Sequence, residues 1–242
     1  MFDLNNISII LCNPSHPGNI GFAARAMKTM GFEHMVIISE REIDIAAAKV
    51  TAVAAADVID NCTIVKVLAD VLDNFHFIAA LTARSRTFRS RIDLPELPAV
   101  LSQQPKDAKI GLLFGREQSG LTNEELEVCQ CAVTIPTSKT FHSMNLSHAV
   151  QAVCYELIRD VKREDNASLS TLELRQTASV HEREAIFAKL EAAMVKVGLK
   201  GDEAEKINKI FRMFFGERPL GKKEAGALHR FFDEIIHCQF KS

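Results

Sequence analysis

Four stretches of the chain hold polar residues that packing alone does not require. The first is N-P-S-H-P-G-N-I-G-F-A-A-R-A-M-K-T-M-G-F, residues 13–32, where a glycine-bearing turn runs straight into a helix carrying Arg25. Such turns often seat phosphates on the helix N-terminus, yet Gly18-x-x-Gly21 matches neither GxGxxG nor GxxxxGK[ST]. The second, Phe114-Gly115-Arg116-Glu117-Gln118-Ser119-Gly120-Leu121-Thr122, sets a cation beside a carboxylate in a loop bracketed by glycines. The third, Ile135 to Leu146, is longer than a connection needs and carries His142, Ser143, Met144 and Asn145. The fourth, Ala83 to Arg91, holds Arg84, Arg86, Arg89 and Arg91 without an acid, a composition able to grip phosphates. Each has a plain explanation as well: turn glycines, a strand-end acid, caps for a helix, a solvated basic loop. Three such loops at successive strand ends favour a site.

The elements that must position these loops are legible as apolar runs. Ile7–Leu11, Met35–Ile38, Phe77–Leu81, Ile110–Phe114 and Val133–Ile135 alternate with helix-like stretches, the pattern of an α/β domain with a mostly parallel sheet and crossover helices. In such sheets ligands bind outside the carboxyl ends of the strands, which is where the polar loops fall. Thr122-Asn123-Glu124-Glu125 has the form of a capping box opening a short helix. A longer helix, Leu146 to Arg163, carries Val150, Val153, Cys154, Leu157, Ile158 and Val161 at helical spacing and closes the domain.

The expected division is a catalytic domain over residues 1–163, a polar linker over 164–171 and a small all-helical extension over 172–242. Ser170-x-x-Glu173, Ser179-x-x-Glu182 and Asp202-x-x-Glu205 are candidate caps in the helical part, with Gly198, Gly201, Gly216 and Gly221 as breaks. Phe211, Phe214 and Phe215 read as its core. Lys206, Lys209, Arg212, Arg218, Lys222, Lys223 and Arg230 read as a basic outer face suited to a polyanion.

Composition sets the outer limits. With 47% hydrophobic residues the chain can build a real core, and a net charge of −2 announces no global affinity for nucleic acid. No apolar run approaches the ~20 residues of a membrane helix, and the N-terminus lacks the form of a signal peptide, so a cytoplasmic protein is expected. Six cysteines lie mostly among hydrophobics without zinc spacing, which predicts reduced core thiols and no metal. A nucleotide-dependent oxidoreductase is excluded by the missing GxGxxG and ribose-binding acid.

Three ordered motifs carry a family resemblance: Asn19-x-Gly21-x-x-x-Arg25; Leu113-Phe114-Gly115-Arg116-Glu117-x-x-Gly120-Leu121; and Ile135-Pro136 followed by Ser143-x-Asn145-Leu146. Together they resemble the SpoU-type RNA 2′-O-methyltransferases of the SPOUT superfamily, over nearly all of residues 7–160. The run Ala24 to Gly31, with Thr82 to Arg86 and the helical extension, is most similar to the TrmJ-like bacterial tRNA methyltransferases. That group methylates the ribose of cytidine or uridine at nucleotide 32 of the anticodon loop.

The resemblance implies a trefoil knot at the carboxyl side of the sheet, holding S-adenosylmethionine against Leu81, Thr82, Ala83, Gly115, Ile135, His142, Ser143 and Met144. It implies that a side chain at Gly115 would collide with that cofactor. Arg25 would meet the target nucleotide as a fixed cation, since a guanidinium is a poor proton acceptor. Glu117 would hold Arg25, and Ser143 and Asn145 would fix cofactor and ribose. Asn19, Arg25, Arg84, Arg86 and Arg89 would contact RNA, and a homodimer would form through the knot region. Ribosomal RNA is the alternative substrate, and a non-catalytic module for structured RNA the alternative function. Phe22 and His142 are the residues expected to narrow the pocket.

Overall fold

A computed structural model of the protein describes residues 2–83, 90–141, 143–164, 177–217 and 220–238. Seven parallel strands run through it: β1 (Ile7–Cys12), β2 (His34–Ile38), β3 (Thr63–Val65), β4 (Phe77–Leu81), β5 (Arg91–Asp93), β6 (Ile110–Phe114) and β7 (Cys131–Thr134). Their order across the sheet is β3-β2-β1-β6-β4-β7-β5. Between and after them lie α1 (Pro17–Thr29), α2 (Ile45–Ala52), α3 (Ala56–Asp60), α4 (Leu97–Ser102), α5 (Asn123–Glu127), α6 (Leu146–Glu164), α7 (Val180–Lys196), α8 (Asp202–Glu217) and α9 (Lys222–His237).

The central strands are apolar throughout because both faces of a parallel sheet are covered. Side chains alternate between two cores. Ile9, Leu11, Ala79, Leu81, Leu112, Phe114 and Val133 face α1 and α6, whereas Ile10, Cys12, Ile78, Ala80 and Leu113 face the opposite layer. The five expected strands are present, shifted at most by a residue or two. Two more, β3 and β5, escaped the reading because each is three residues long, lies at a sheet edge and is largely exposed. They carry no hydrophobic run to signal them.

Lateral register aligns the strand ends. Leu11 pairs with Phe114, Phe114 with Leu81 and Leu81 with Val133, so four loops leave a single rim. The chain turns back across the sheet between β1 and β6, the kind of switch point at which α/β sheets open a crevice.

The helical part is built from local signals. Ser179 and Glu182 form the expected capping box of α7, and Thr122 and Glu125 that of α5. Asp202 is the first helical residue of α8 rather than its cap. Ser170 and Glu173, like all of the expected linker after Glu164, lie outside the described residues. The three helices share a core that includes Ile186, Leu190, Met194 and Phe232, with Phe211 and Phe215 packed against it. Phe214 corrects the expectation: it is 60% exposed. The extension is fastened to the sheet layer by Val180, whose N–H donates to the Phe75 carbonyl at 2.7 Å. Arg183, 3% exposed, donates to the carbonyl of His76, and burial pushes its guanidinium down to about 10. All six thiols are free; Cys238 is exposed and Cys62 only half-buried, so these two depart from the core reading.

Candidate active site

The opening helix is longer than the glycine turn implied. Pro17, whose missing N–H costs nothing in the first turn, starts α1, and Gly18, Asn19 and Gly21 are already helical. Gly21 is explained by packing: a Cβ there would stand 2.1 Å from the Ala48 carbonyl oxygen and 2.7 Å from the Ala52 nitrogen, so α2 could not approach. Gly115 is likewise required by its own chain. Its Cβ would come within 2.3 Å of the Gly120 carbonyl carbon and 2.4 Å of the Leu121 nitrogen.

A polar relay joins the three motifs. Ser15 donates to Glu117 Oε2 through its backbone N–H (3.0 Å) and its hydroxyl (2.7 Å), and Asn19 Nδ2 donates to Oε1 at 2.8 Å. Asn145 Nδ2 in turn donates to Asn19 Oδ1 at 3.1 Å. Asn145 Oδ1 accepts from the backbone N–H (2.9 Å) and hydroxyl (2.7 Å) of Ser147, capping α6. One side chain thus caps α6 with its oxygen and ties that helix to α1 with its nitrogen. Burial alone would raise the Glu117 carboxyl, but the Ser15 and Asn19 hydrogen bonds outweigh it and hold the group below its ordinary value. The stabilisation this provides is present above the usual carboxylate range and fades as pH falls through the lowered value.

Glu117 thus grips the turn before α1, not Arg25. The Arg25 side chain is exposed, and among the described residues it has no ion-pair partner. Arg116, placed at the rim by the motif, is taken up by Glu125: its Nη1 lies 3.0 and 2.9 Å from the two carboxylate oxygens. That pair closes the loop over the β6 end. Burial drives the neighbouring Cys12 thiol far above its ordinary value, so it stays protonated.

Three hollows meet at the rim. The first, about 320 Å³, is lined by Leu81, Thr82, Ala83, Gly115, Ile135, Ser143 and Met144 with Leu146 and Ala149 beneath. Every expected cofactor residue that the structure describes is in this set; His142 lies outside the described residues, as do Arg84, Arg86 and Arg89. The second, about 680 Å³, runs from Glu117, Ser143 and Met144 past Phe141 to Asn145 and His148. The third, about 430 Å³, holds Asn19, Phe22, Arg25 and Thr29, one stripe of α1, against Asn145, Ser147, His148 and Gln151. Phe22 therefore narrows the Arg25 cleft and not the first pocket. Ser15 and His148 were missed by the sequence reading; the helical spacing Asn145-x-x-His148, which puts both on one side of α6, was the available signal.

A sequence profile of the SpoU rRNA Methylase family matches residues 6–155. The chain belongs to the SpoU methylase family. This SpoU methylase is 32% identical over 246 residues to the tRNA (cytidine/uridine/adenosine-2′-O-)-methyltransferase TrmJ of Pseudomonas aeruginosa, covering 96% of this chain and 94% of that one. Its fold is that of TrmJ from Z. mobilis, with a TM-score of 0.76 at 23% identity over 94% and 98% of the two chains. The SpoU methyltransferase AviRb from Streptomyces viridochromogenes, solved in complex with AdoMet, superposes at a TM-score of 0.53 and 19% identity over 64% and 60%. The SpoU profile ends inside α6, whereas the likeness to TrmJ continues through the helical extension.

Proposed function

We propose that this SpoU methylase transfers a methyl group from S-adenosylmethionine to the ribose 2′-hydroxyl of cytidine or uridine at nucleotide 32 of the tRNA anticodon loop. The observation that carries this is a rim pocket continued by a trough to the cleft of Arg25, which has no ion-pair partner among the described residues, with the Glu117–Asn19–Asn145 relay alongside. The pocket suits the cofactor: about 320 Å³, apolar at Leu81, Ile135 and Met144, polar at Thr82 and Ser143. Bound there, S-adenosylmethionine supplies an electrophilic methyl. The chain's own task is to present the hydroxyl in line and steady the charge that grows on its oxygen. Arg25 serves as that cation and as the grip on the adjoining phosphate. Glu117 acts at one remove, by fixing Asn19 and through it Asn145 against the ribose.

A tRNA substrate, rather than the ribosomal RNA in the family's description, is supported by the TrmJ relative, whose likeness runs through the extension. On α8 and α9, Lys206, Lys209, Lys222, Lys223 and Arg230 are exposed, Lys209 beside Glu205 at 3.8 Å, and they are assigned to tRNA together with the Arg84, Arg86 and Arg89 segment; Arg218 lies outside the described residues. Arg212 is withdrawn from that set: it pairs with Glu184 at 3.0 Å and stacks on Phe187. Exposed Phe141 and Met144 in the loop after β7 support a homodimer through that region, where the family's knot would lie. The same reading assigns residues 1–163 to catalysis and 172–242 to tRNA. No helix among the described residues is long and apolar enough to cross a membrane, and a cytoplasmic location follows from the substrate.

The test is calorimetric titration of the purified protein with S-adenosylmethionine, then labelled methyl transfer to tRNA lacking the modification, with the modified nucleoside mapped. Binding and label at nucleotide 32 are expected. Binding of tRNA without cofactor uptake or transfer would leave only a recognition module.

A further inference from the structure

Methylating a hydroxyl releases a proton, and Arg25, Glu117, Ser143 and Asn145, the described polar groups assigned to the chemistry, cannot take it. Arg25 is a permanent cation, Ser143 and Asn145 are not bases, and Glu117 already accepts three hydrogen bonds that hold it as a carboxylate. A further side chain with an ionisable nitrogen stands where the hollows meet. Among the described residues, Asn145 and His148 are the two that line both the trough leading from the cofactor pocket and the Arg25 cleft. His148 sits in the first turn of α6, one turn on from Asn145, and its side chain is exposed. Asn145 spends its amide on Asn19 and Ser147, whereas no hydrogen bond among the described residues engages the His148 ring. Among the described residues, the charged groups lining these hollows with it are Arg25 from α1 and Glu117 from the loop after β6; its own helix contributes the neutral Ser147 and Gln151.

We infer that His148 accepts the proton of the ribose 2′-hydroxyl, a catalytic role that rests on the methyltransferase reading above. The O–H bond breaks as the new O–CH3 bond forms. The S–CH3 bond breaks with its electron pair retained on sulfur, leaving a neutral thioether. The proton goes to a neutral imidazole nitrogen of His148 and from that exposed ring to water. Arg25 and His148 then divide the work: a fixed cation steadies the oxygen while a neutral base clears its proton.

Single-turnover transfer from labelled S-adenosylmethionine to an unmodified tRNA transcript, followed from acid to neutral pH, tests this. The wild-type rate should climb with pH along an acid limb and level off. His148→Ala should lose ~10²–10⁴ of the rate and the limb with it, with cofactor affinity unchanged, and added imidazole should restore part of the loss. His148→Gln repeats the test with a side chain of similar size should the alanine variant fold poorly. Independently of turnover, the ring signal of His148 in histidine-labelled protein, identified by its absence from His148→Gln, should move when tRNA is added without cofactor. An unchanged rate, a slower enzyme with an unaltered pH profile, or an unmoved ring signal would overturn the inference while wild-type methylation left the parent reading intact. Absence of wild-type methylation would remove both.

Discussion

The rim of the sheet and the helical extension solve opposite problems with the same residue types. At the rim, side chains from distant positions are tied together: Ser15 and Asn19 reach Glu117 across 102 and 98 residues, and Asn145 reaches Asn19 across 126. In the extension the fastenings are closer in sequence, Ser179 to Glu182, Arg212 to Glu184 at 28 residues and Lys189 to Asp233 at 44. Among the described residues the rim leaves Arg25 without an ion-pair partner in its cleft, while the extension spends Arg212 on an ion pair and a ring. A rigid parallel sheet permits the first arrangement because four strand ends share one register. A cation left unspent at a rim held by such a relay is free to meet a ligand, and a cation spent in a helical pair holds structure.

The comparison breaks most visibly at Arg25. Arg25→Ala should cost ~10²-fold or more in single-turnover rate, the scale of losing a transition-state donor, with cofactor affinity unaltered. Arg25→Lys should recover little, since an ammonium lacks the planar fork that meets phosphate and oxygen together. Full turnover in the lysine enzyme would show that a point charge suffices. Among the described residues no hydrogen bond or ion pair uses this side chain, so thermal stability should be unmoved.

Much of this contrast was legible beforehand, and the part that was not has a common cause. Buried parallel strands announce themselves as apolar runs, so β1, β2, β4, β6 and β7 could be read, and the capping boxes at Thr122 and Ser179 are wholly local. The rim loops could be placed because polar stretches follow apolar runs, whereas the individual pocket residues were implied by the family resemblance. What side chains do to each other across a hundred residues has no local signature. Glu117 was therefore assigned to Arg25 although it holds Ser15 and Asn19, and the need of Gly120 and Leu121 for the space beside Gly115 went unread. Phe214 shows the converse: helical spacing names a stripe, and only packing says which end of the stripe is covered.

The extension's own function is the next point of attack. Removing residues 165–242 would strip Val180 from the core it shares with Phe75, so truncation mixes folding with binding. Reversing Lys222, Lys223 and Arg230 together to glutamate alters charge alone on an exposed face. Affinity for tRNA should fall on the order of tenfold to a hundredfold, and the slope of log affinity against log salt should shrink by roughly three, one for each phosphate no longer neutralised. Cofactor affinity should not change. Retention of both the affinity and the slope would return tRNA binding to the rim alone.

Glycines give the finest form of the comparison, because the two regions use them for opposite reasons. Gly115 sits where any Cβ would overlap the Gly120 backbone, and backbone cannot swing aside as the end of a flexible side chain can. Gly115→Ala should destabilise the protein by roughly 1–3 kcal/mol and loosen the cofactor pocket that it lines. Gly226 lies within α9, and a Cβ there meets nothing within 4 Å. Gly226→Ala should therefore stabilise by about 0.5–1 kcal/mol, since alanine gives up less chain entropy in a helix interior and displaces no neighbour. Denaturant midpoints of the two variants should move in opposite directions, the second without any change in methyl transfer. A midpoint for Gly226→Ala at or below wild type would mean that α9 meets a partner at that face, where open space now reads as solvent.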